Sequence, residues 1–231
     1  MKKRLKINGF IIFITILAIS LFPTLFFRET SLDFLNEFYE LMGISIMLLG
    51  QLVRISARGY KKEHSPKGSA LIINGPYKFV RNPMYLGILL IGVGAVLIFF
   101  KLWVTGVFFL FFIIRYILLI FQEEKYLLDS FGQAYKDYML HTPRLFPSLR
   151  TLIINDVRDI LPLKVAWIRT EQPQVLIVLF VAIFFESGMD IYKEGLKGHL
   201  SELGGTIIIF TFFIFLILYL LNKEKALKSG V

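Results

Sequence analysis

The chain has 231 residues, 56% hydrophobic and 19% charged, with a mean hydropathy of +0.67 and a formal charge of +9. A soluble domain carries about 45–50% apolar and about 25% charged residues, so a chain this short and apolar points to lipid as its solvent. The absence of cysteine excludes a disulfide framework, a thiol nucleophile, a thiolate metal site and a prenylation signal.

A bilayer span needs about 20 mostly apolar residues. In chain order the candidates are 7–27, 35–53, 85–100, 102–121, 175–185 and 204–221. The predicted fold is all-α, a polytopic bundle of about six transmembrane helices with a cytoplasmic helical cap. The basic start, Met1 to Lys6, also describes a signal peptide, but the apolar run behind it is longer than a usual signal core, so a retained helix is expected. The second span has Glu37 and Glu40 at its mouth and Gly43 and Gly50 inside. The third is short, and the fifth is short enough to be re-entrant.

Lys and Arg mark the cytoplasmic side of membrane proteins. With the N-terminus inside and six spans, all but five of the 26 basic residues face the cytoplasm; the five are Arg28, Lys101, Arg115, Lys193 and Lys197. Both termini are therefore expected in the cytoplasm. The positive charge is explained by topology and anionic headgroups rather than by nucleic acid. Three regions follow: 1–53 with two spans; 54–150, a core of cytoplasmic loop, helical hairpin and cytoplasmic tail helix; and 151–231, an interfacial segment with a C-terminal hairpin.

Two cytoplasmic segments, 54–84 and 122–174, are too long to be turns. Between them a tight helical hairpin turns at Phe100-Lys101-Leu102, bringing the end of the first segment beside the start of the second. Within the second, Glu123 to Leu128 continues the fourth span, Phe131-Gly132 interrupts it, and 133–140 forms a short helix that ends before Pro143. Residues 151–169 read as an interfacial helix broken at Pro162.

The polar residues gathered by the hairpin are Tyr77, Lys78, Arg81, Asn82 and Tyr85 from one side, and Glu123, Glu124, Tyr135 and Tyr138 from the other. An arginine facing two carboxylates, with tyrosines interleaved, suits a zwitterionic ligand. Arginine grips carboxylates through paired donors, and aromatic faces attract a sulfonium or ammonium. Several of these residues have a plainer reading. Arg81 and Lys78 satisfy the positive-inside rule, Tyr135 and Tyr138 serve as interfacial anchors, and Gly92 and Gly94 mark close helix packing. Arg115, about two turns before Glu123, either lines the site or snorkels to the surface. His64, His141 and His199 make no metal-ligand spacing, so no metal is expected.

The ordered motifs are Gly75-Pro76-Tyr77, Arg81-Asn82-Pro83-Met84-Tyr85-Leu86-Gly87, Glu123-Glu124, Phe131-Gly132-Gln133-Ala134-Tyr135-Lys136-Asp137-Tyr138 and Pro143-Arg144. This order resembles the membrane methyltransferases, namely isoprenylcysteine carboxyl methyltransferase and the phospholipid N-methyltransferases. The resemblance covers residues 74–148. It implies S-adenosylmethionine as cofactor and a lipid or lipidated acceptor, with the active site at the cytoplasmic face. It further implies Arg81, Asn82 and Glu124 at the catalytic centre. Cofactor contacts would come from Tyr77, Arg81, Pro83, Tyr85, Gly92, Gly94, Glu123, Glu124, Tyr135 and Tyr138, and acceptor contacts from Arg115 and Arg144. Asn82 departs from the histidine of the best-known members. An amide hydrogen-bonds but does not titrate near neutral pH, so a proton-accepting role is not expected there.

No strand precedes Gly92, so a Rossmann-type cofactor site is excluded, and no Walker loop or nucleophile elbow is present. Two other readings stay open at this level. One is a nicotinamide-dependent membrane lipid reductase, against which the acidic pair speaks. The other is a non-catalytic membrane protein retaining the fold.

Overall fold

A computed structural model describes residues 17, 19–28, 34–148, 156–170 and 207–221, and every described element is helical or irregular. Helix α1 spans Phe34–His64, α2 Pro83–Phe99, α3 Leu102–Phe131 and α4 Gln133–His141. A further apolar helix, α5, covers Ile207–Leu221.

Two of these, from Phe38 to His64 and from Leu102 to Phe131, are long and apolar enough to cross a membrane; α2 and α5 are apolar but shorter. The outer face of α3 makes the solvent clear. Leu110, Phe111, Ile114 and Leu118 are each more than half exposed, an apolar stripe that water would not tolerate at this size. The protein is a membrane protein. Of the six expected spans, 175–185 and most of 7–27 lie outside the described residues, as do both termini.

Two helices run beyond their expected ends. The second span was read as 35–53, but α1 continues through Arg54 to His64. Its polar extension keeps a helical face: Ile55 and Ser56 are buried, and Lys61, Lys62 and His64 in the last turn suit the negative end of the helix dipole. Likewise α3 continues past Phe121 to Phe131, where Gly132 at φ +53° breaks it and α4 begins, close to where the sequence placed the interruption.

Helices α1 and α2 pack backbone to backbone. A Cβ added at Gly94 would lie 2.5 Å from the Gly43 carbonyl oxygen, and one at Gly87 would lie 2.9 Å from that of Gly50. Glycines two turns apart on each helix thus allow the approach. On its other flank α1 carries a buried stripe, Ile44, Met47, Leu48, Leu52 and Ile55. It packs against Leu161, Leu163 and Trp167 and against Phe213 and Leu220 of α5. Ser56 Oγ donates to the Pro162 carbonyl at 2.7 Å, tying down the break expected at that proline.

At the end of the hairpin away from the polar cluster, residues 23–28 close over the α2–α3 turn. Phe27 and Phe100 form an antiparallel bridge, and Arg28 donates to the carbonyls of Leu97 and Phe100 at 2.7 and 3.0 Å. Those carbonyls end α2 and lack helical partners, so a cation there satisfies them.

The glycine contact sets a stability expectation. Gly94→Leu should destabilise the protein by about 1–3 kcal/mol through overpacking, read as a lower thermal-unfolding midpoint in detergent. Gly106→Ala, where an added Cβ meets nothing within 4 Å, should leave the midpoint unchanged or slightly higher.

Candidate functional site

The site forms where the mouth of α2, the end of α3 and the chain after α4 converge. Gly75, at φ +59° with the Tyr60 ring 2.7 Å from an added Cβ, starts a tight turn over Gly75–Lys78. Phe79 and Val80 are then buried, and the backbone pairs with the segment behind α4. Arg81 N–H donates to the Pro143 carbonyl at 2.8 Å and Asn82 N–H to that of Arg144 at 3.2 Å. Asn82 Nδ2 donates to the same Arg144 oxygen at 3.0 Å. Asn82 is also the residue before α2, with Pro83 in the first turn, where its missing N–H costs nothing. The Asn82 amide therefore fastens two strands of loop together, a role that needs a donor and no titration.

Glu124 is the centre of the charge network. Its side chain is 8% exposed and lies between two guanidiniums. Arg144 Nε and Nη2 grip both carboxylate oxygens at 2.9–3.2 Å, and Arg81 Nη1 stands 3.3 Å from Oε1. The Arg144 guanidinium also lies over the Phe121 ring, 4.5 Å from its centroid. Donation to Glu124 holds the Arg144 pKa above its ordinary value. Arg81, 9% exposed, leaves Nε and Nη1 without a hydrogen-bond acceptor among the described residues.

Glu123, its neighbour in sequence, is exposed. Consecutive helical residues differ by about 100° in direction, which separates the fates of the two acids. Tyr85 donates its hydroxyl to Glu123 Oε1 at 2.7 Å. The Tyr85 ring packs on Tyr116, which stacks on Phe112 at 4.0 Å between centroids.

The other tyrosines are buried or half-buried beside this network. Tyr138 donates to the Tyr77 carbonyl at 2.5 Å, and Tyr77 to the Ala57 carbonyl at 3.4 Å. Burial pushes the Tyr77 and Tyr138 phenols well above their ordinary pKa. Tyr135, 1% exposed, is raised by burial and by Glu124, while Arg81 opposes the shift as neighbour and hydrogen-bond partner.

The structure therefore brings together Tyr77, Arg81, Asn82, Pro83, Tyr85, Glu123, Glu124, Tyr135, Tyr138 and Arg144. The two glycines have packing partners: Gly94 faces Gly43 and Met47 of α1, and Gly92 faces the Phe108 ring. Arg144, expected at the acceptor, is engaged by Glu124. Arg115 stands apart, exposed on α3. Sequence reasoning missed Tyr116 and the Pro143 and Arg144 carbonyls. The spacing Phe108, Phe112, Tyr116, Ile120, Glu124, every fourth residue of α3, carried a usable signal for the buried face.

The comparisons bear on this geometry. Residues 38–134 match the phospholipid methyltransferase family. The resemblance read from the motifs is borne out for that segment, which takes in α1, α2, α3 and the acidic pair. The chain is also 34% identical over 116 residues to the cobalt-zinc-cadmium resistance protein CzcN of Cupriavidus metallidurans, covering 47% of this chain and 48% of that protein. The chain thus spans about half the length of the curated relative it matches. No solved structure matches it. Among the described residues no three His, Asp or Glu side chains gather as a metal site.

Two outcomes are expected. Glu124→Ala should destabilise strongly, approaching the about 3–5 kcal/mol of a broken buried ion pair but discounted for the part-exposed Arg144. Glu123→Ala should leave the unfolding midpoint nearly unchanged in the same melts. Separately, the folded protein holds the Tyr77 and Tyr138 protons more tightly than the unfolded chain. Their contribution is complete below about pH 10 and fades as pH rises towards the folded values. Alkaline melting curves should show the loss, and Tyr138→Phe should show less of it.

Proposed function

We propose that the protein is an S-adenosylmethionine-dependent methyltransferase acting on a lipophilic acceptor held in the bilayer. The observation that carries this reading is the nearly buried Arg81 guanidinium, ion-paired to Glu124 through Nη1 and with no acceptor for Nε among the described residues, beside the exposed, Tyr85-oriented Glu123. A buried donor without an acceptor costs about 1–3 kcal/mol, and a ligand carboxylate would recover it. Arg81 would take the amino-acid carboxylate of the cofactor by charge-assisted hydrogen bonds. Glu123, which receives one phenol donor on Oε1, keeps acceptor capacity for an ammonium or for ribose hydroxyls. The residues present thus fit the two ends of such a cofactor.

The bound cofactor would supply an electrophilic methyl group on a sulfonium. The protein's own part is to bind, orient and exclude water. Tyr85, packed on Tyr116, fixes Glu123; Asn82 and the Pro143 and Arg144 carbonyls fix the mouth of α2; Glu124 holds Arg81 and Arg144 together. Beneath them Leu89, Phe112, Ile120 and Leu145 form an apolar floor. Orientation and a dry pocket account for a large share of the barrier in a two-molecule displacement. Membership of residues 38–134 in a phospholipid methyltransferase family supports a lipid acceptor. The basic residues closing α1 support a cytoplasmic site.

Titration of the detergent-purified protein with S-adenosylmethionine and S-adenosylhomocysteine, followed calorimetrically, tests the reading. Saturable binding is expected, weakened at least about tenfold by Glu123→Ala and by Arg81→Ala, each removing a charged hydrogen bond. A folded protein that binds neither compound overturns it, and binding of NADPH in their place would assign a reductase.

A further inference from the structure

A cavity of about 550 Å³ lies between the last turns of α1 and residues 166–170. At about 100° per residue, Ala57 and Tyr60 share one side of α1, while Arg58, Gly59, Lys62 and Glu63 share the opposite one. The first side faces the candidate site: the Ala57 carbonyl accepts from Tyr77, and the Tyr60 ring lies against Gly75. The second side lines the cavity. The helix therefore stands between a ligand held there and the Arg81–Glu123 site.

The cavity has a fixed back wall and a charged lining. Gly59 is buried, and an added Cβ there would run into the Trp167 ring, so the indole lies directly on the helix backbone. Lys164 holds its ammonium 5.2 Å from the Trp167 ring centroid and pairs with Glu63. Glu63 is the one carboxylate of the lining among the described residues, and Lys164 offsets it. Arg58 and Lys62, both exposed, supply the positive charge of the lining.

Depth points to lipid as the source of an anion. Arg58 stands about 8 Å along the axis beyond Val53, where the apolar run of the sequence ends. That is close to the thickness of one headgroup layer. Tryptophan is enriched at this level, and basic pockets between membrane helices there take anionic headgroups. The volume is that of a small-molecule site, with room for a whole headgroup. Arginine adds paired donors that match phosphate oxygens.

We propose that this cavity binds a phosphate ester carried on an anionic lipid headgroup, with Arg58 and Lys62 as the phosphate contacts. The lipid held there is distinct from any molecule acted on at Arg81 and Glu123, and its binding does not depend on what that site does.

The protein has two tryptophans, and Trp103 lies at the other end of the hairpin beside Phe26. In the Trp103→Phe protein, Trp167 therefore reports on the cavity alone. The full chain in uncharged detergent is titrated with short-chain phosphatidylglycerol, short-chain phosphatidylcholine and glycerol phosphate, followed by Trp167 emission and by calorimetry. Phosphatidylglycerol should saturate, with an affinity at least about tenfold above the other two. Lys62→Gln and Arg58→Gln should each weaken it about tenfold, the loss of one charged hydrogen bond. Lys61→Gln removes the same charge from an exposed neighbour outside the lining and should leave the affinity nearly unchanged. Equal losses in Lys61→Gln and Lys62→Gln would show general surface attraction and overturn the site. Absence of saturable binding by both readouts overturns it too, as does full affinity in both lining variants. Equal affinity for glycerol phosphate overturns the lipid source and assigns a soluble phosphate ester, and equal affinity for phosphatidylcholine overturns the choice of an anionic headgroup.

Discussion

Burial of Glu124 between Arg81 and Arg144 is the constraint around which the polar face is organised. Each charge belongs to a different segment: the mouth of α2, the end of α3 and the chain after α4. Taking them from water is expensive, and the cost is offset only when donors and acceptors meet in good geometry. The paired grip of Arg144 on both oxygens meets that demand. The backbone bonds from Arg81 and Asn82 to residues 143 and 144 hold the segments at the required spacing. Arg81 is then held by Glu124 through Nη1, with no acceptor for Nε among the described residues.

Below this face the hairpin is built from two unlike contacts. Helices α1 and α2 meet through glycines, so their separation is fixed by backbone atoms that cannot adjust. Helices α2 and α3 meet through side chains, with Leu89, Phe112 and Ile120 buried between them and Tyr85 against Tyr116. The first contact gives the site a fixed wall. The second leaves one flank of α3 open, carrying Arg115, Gln122 and Glu123 from the apolar level to the surface.

The two glutamates illustrate how one motif divides into two tasks. Being adjacent, they cannot share a face. Ile120 and Glu124 lie on the buried line of α3, and Glu123 lies beside it, where the Tyr85 hydroxyl reaches it. Reading Glu123-Glu124 as a single acidic pair was sufficient to locate the site and insufficient to assign either residue. Asn82 is similar. Its amide and backbone N–H both donate to the Arg144 carbonyl, a scaffold role that needs no titratable group.

The sequence by itself determined the medium, the hairpin turn at Phe100-Lys101-Leu102, the break at Gly132 and the convergence of the Arg81 and Glu123-Glu124 motifs. These follow from local causes: run length of apolar residues, glycine and proline geometry, and the short reach of a three-residue turn. Helix ends were less legible, since Arg54 to His64 is polar in composition yet keeps a buried face supplied by distant residues 161–167. Only the tertiary structure decided which glutamate is buried, that Arg144 serves Glu124, that Gly94 packs on α1, and that Arg115 is exposed with no partner among the described residues. Each of these depends on which neighbour occupies a given side of a helix, and that is fixed by packing between segments far apart in the chain.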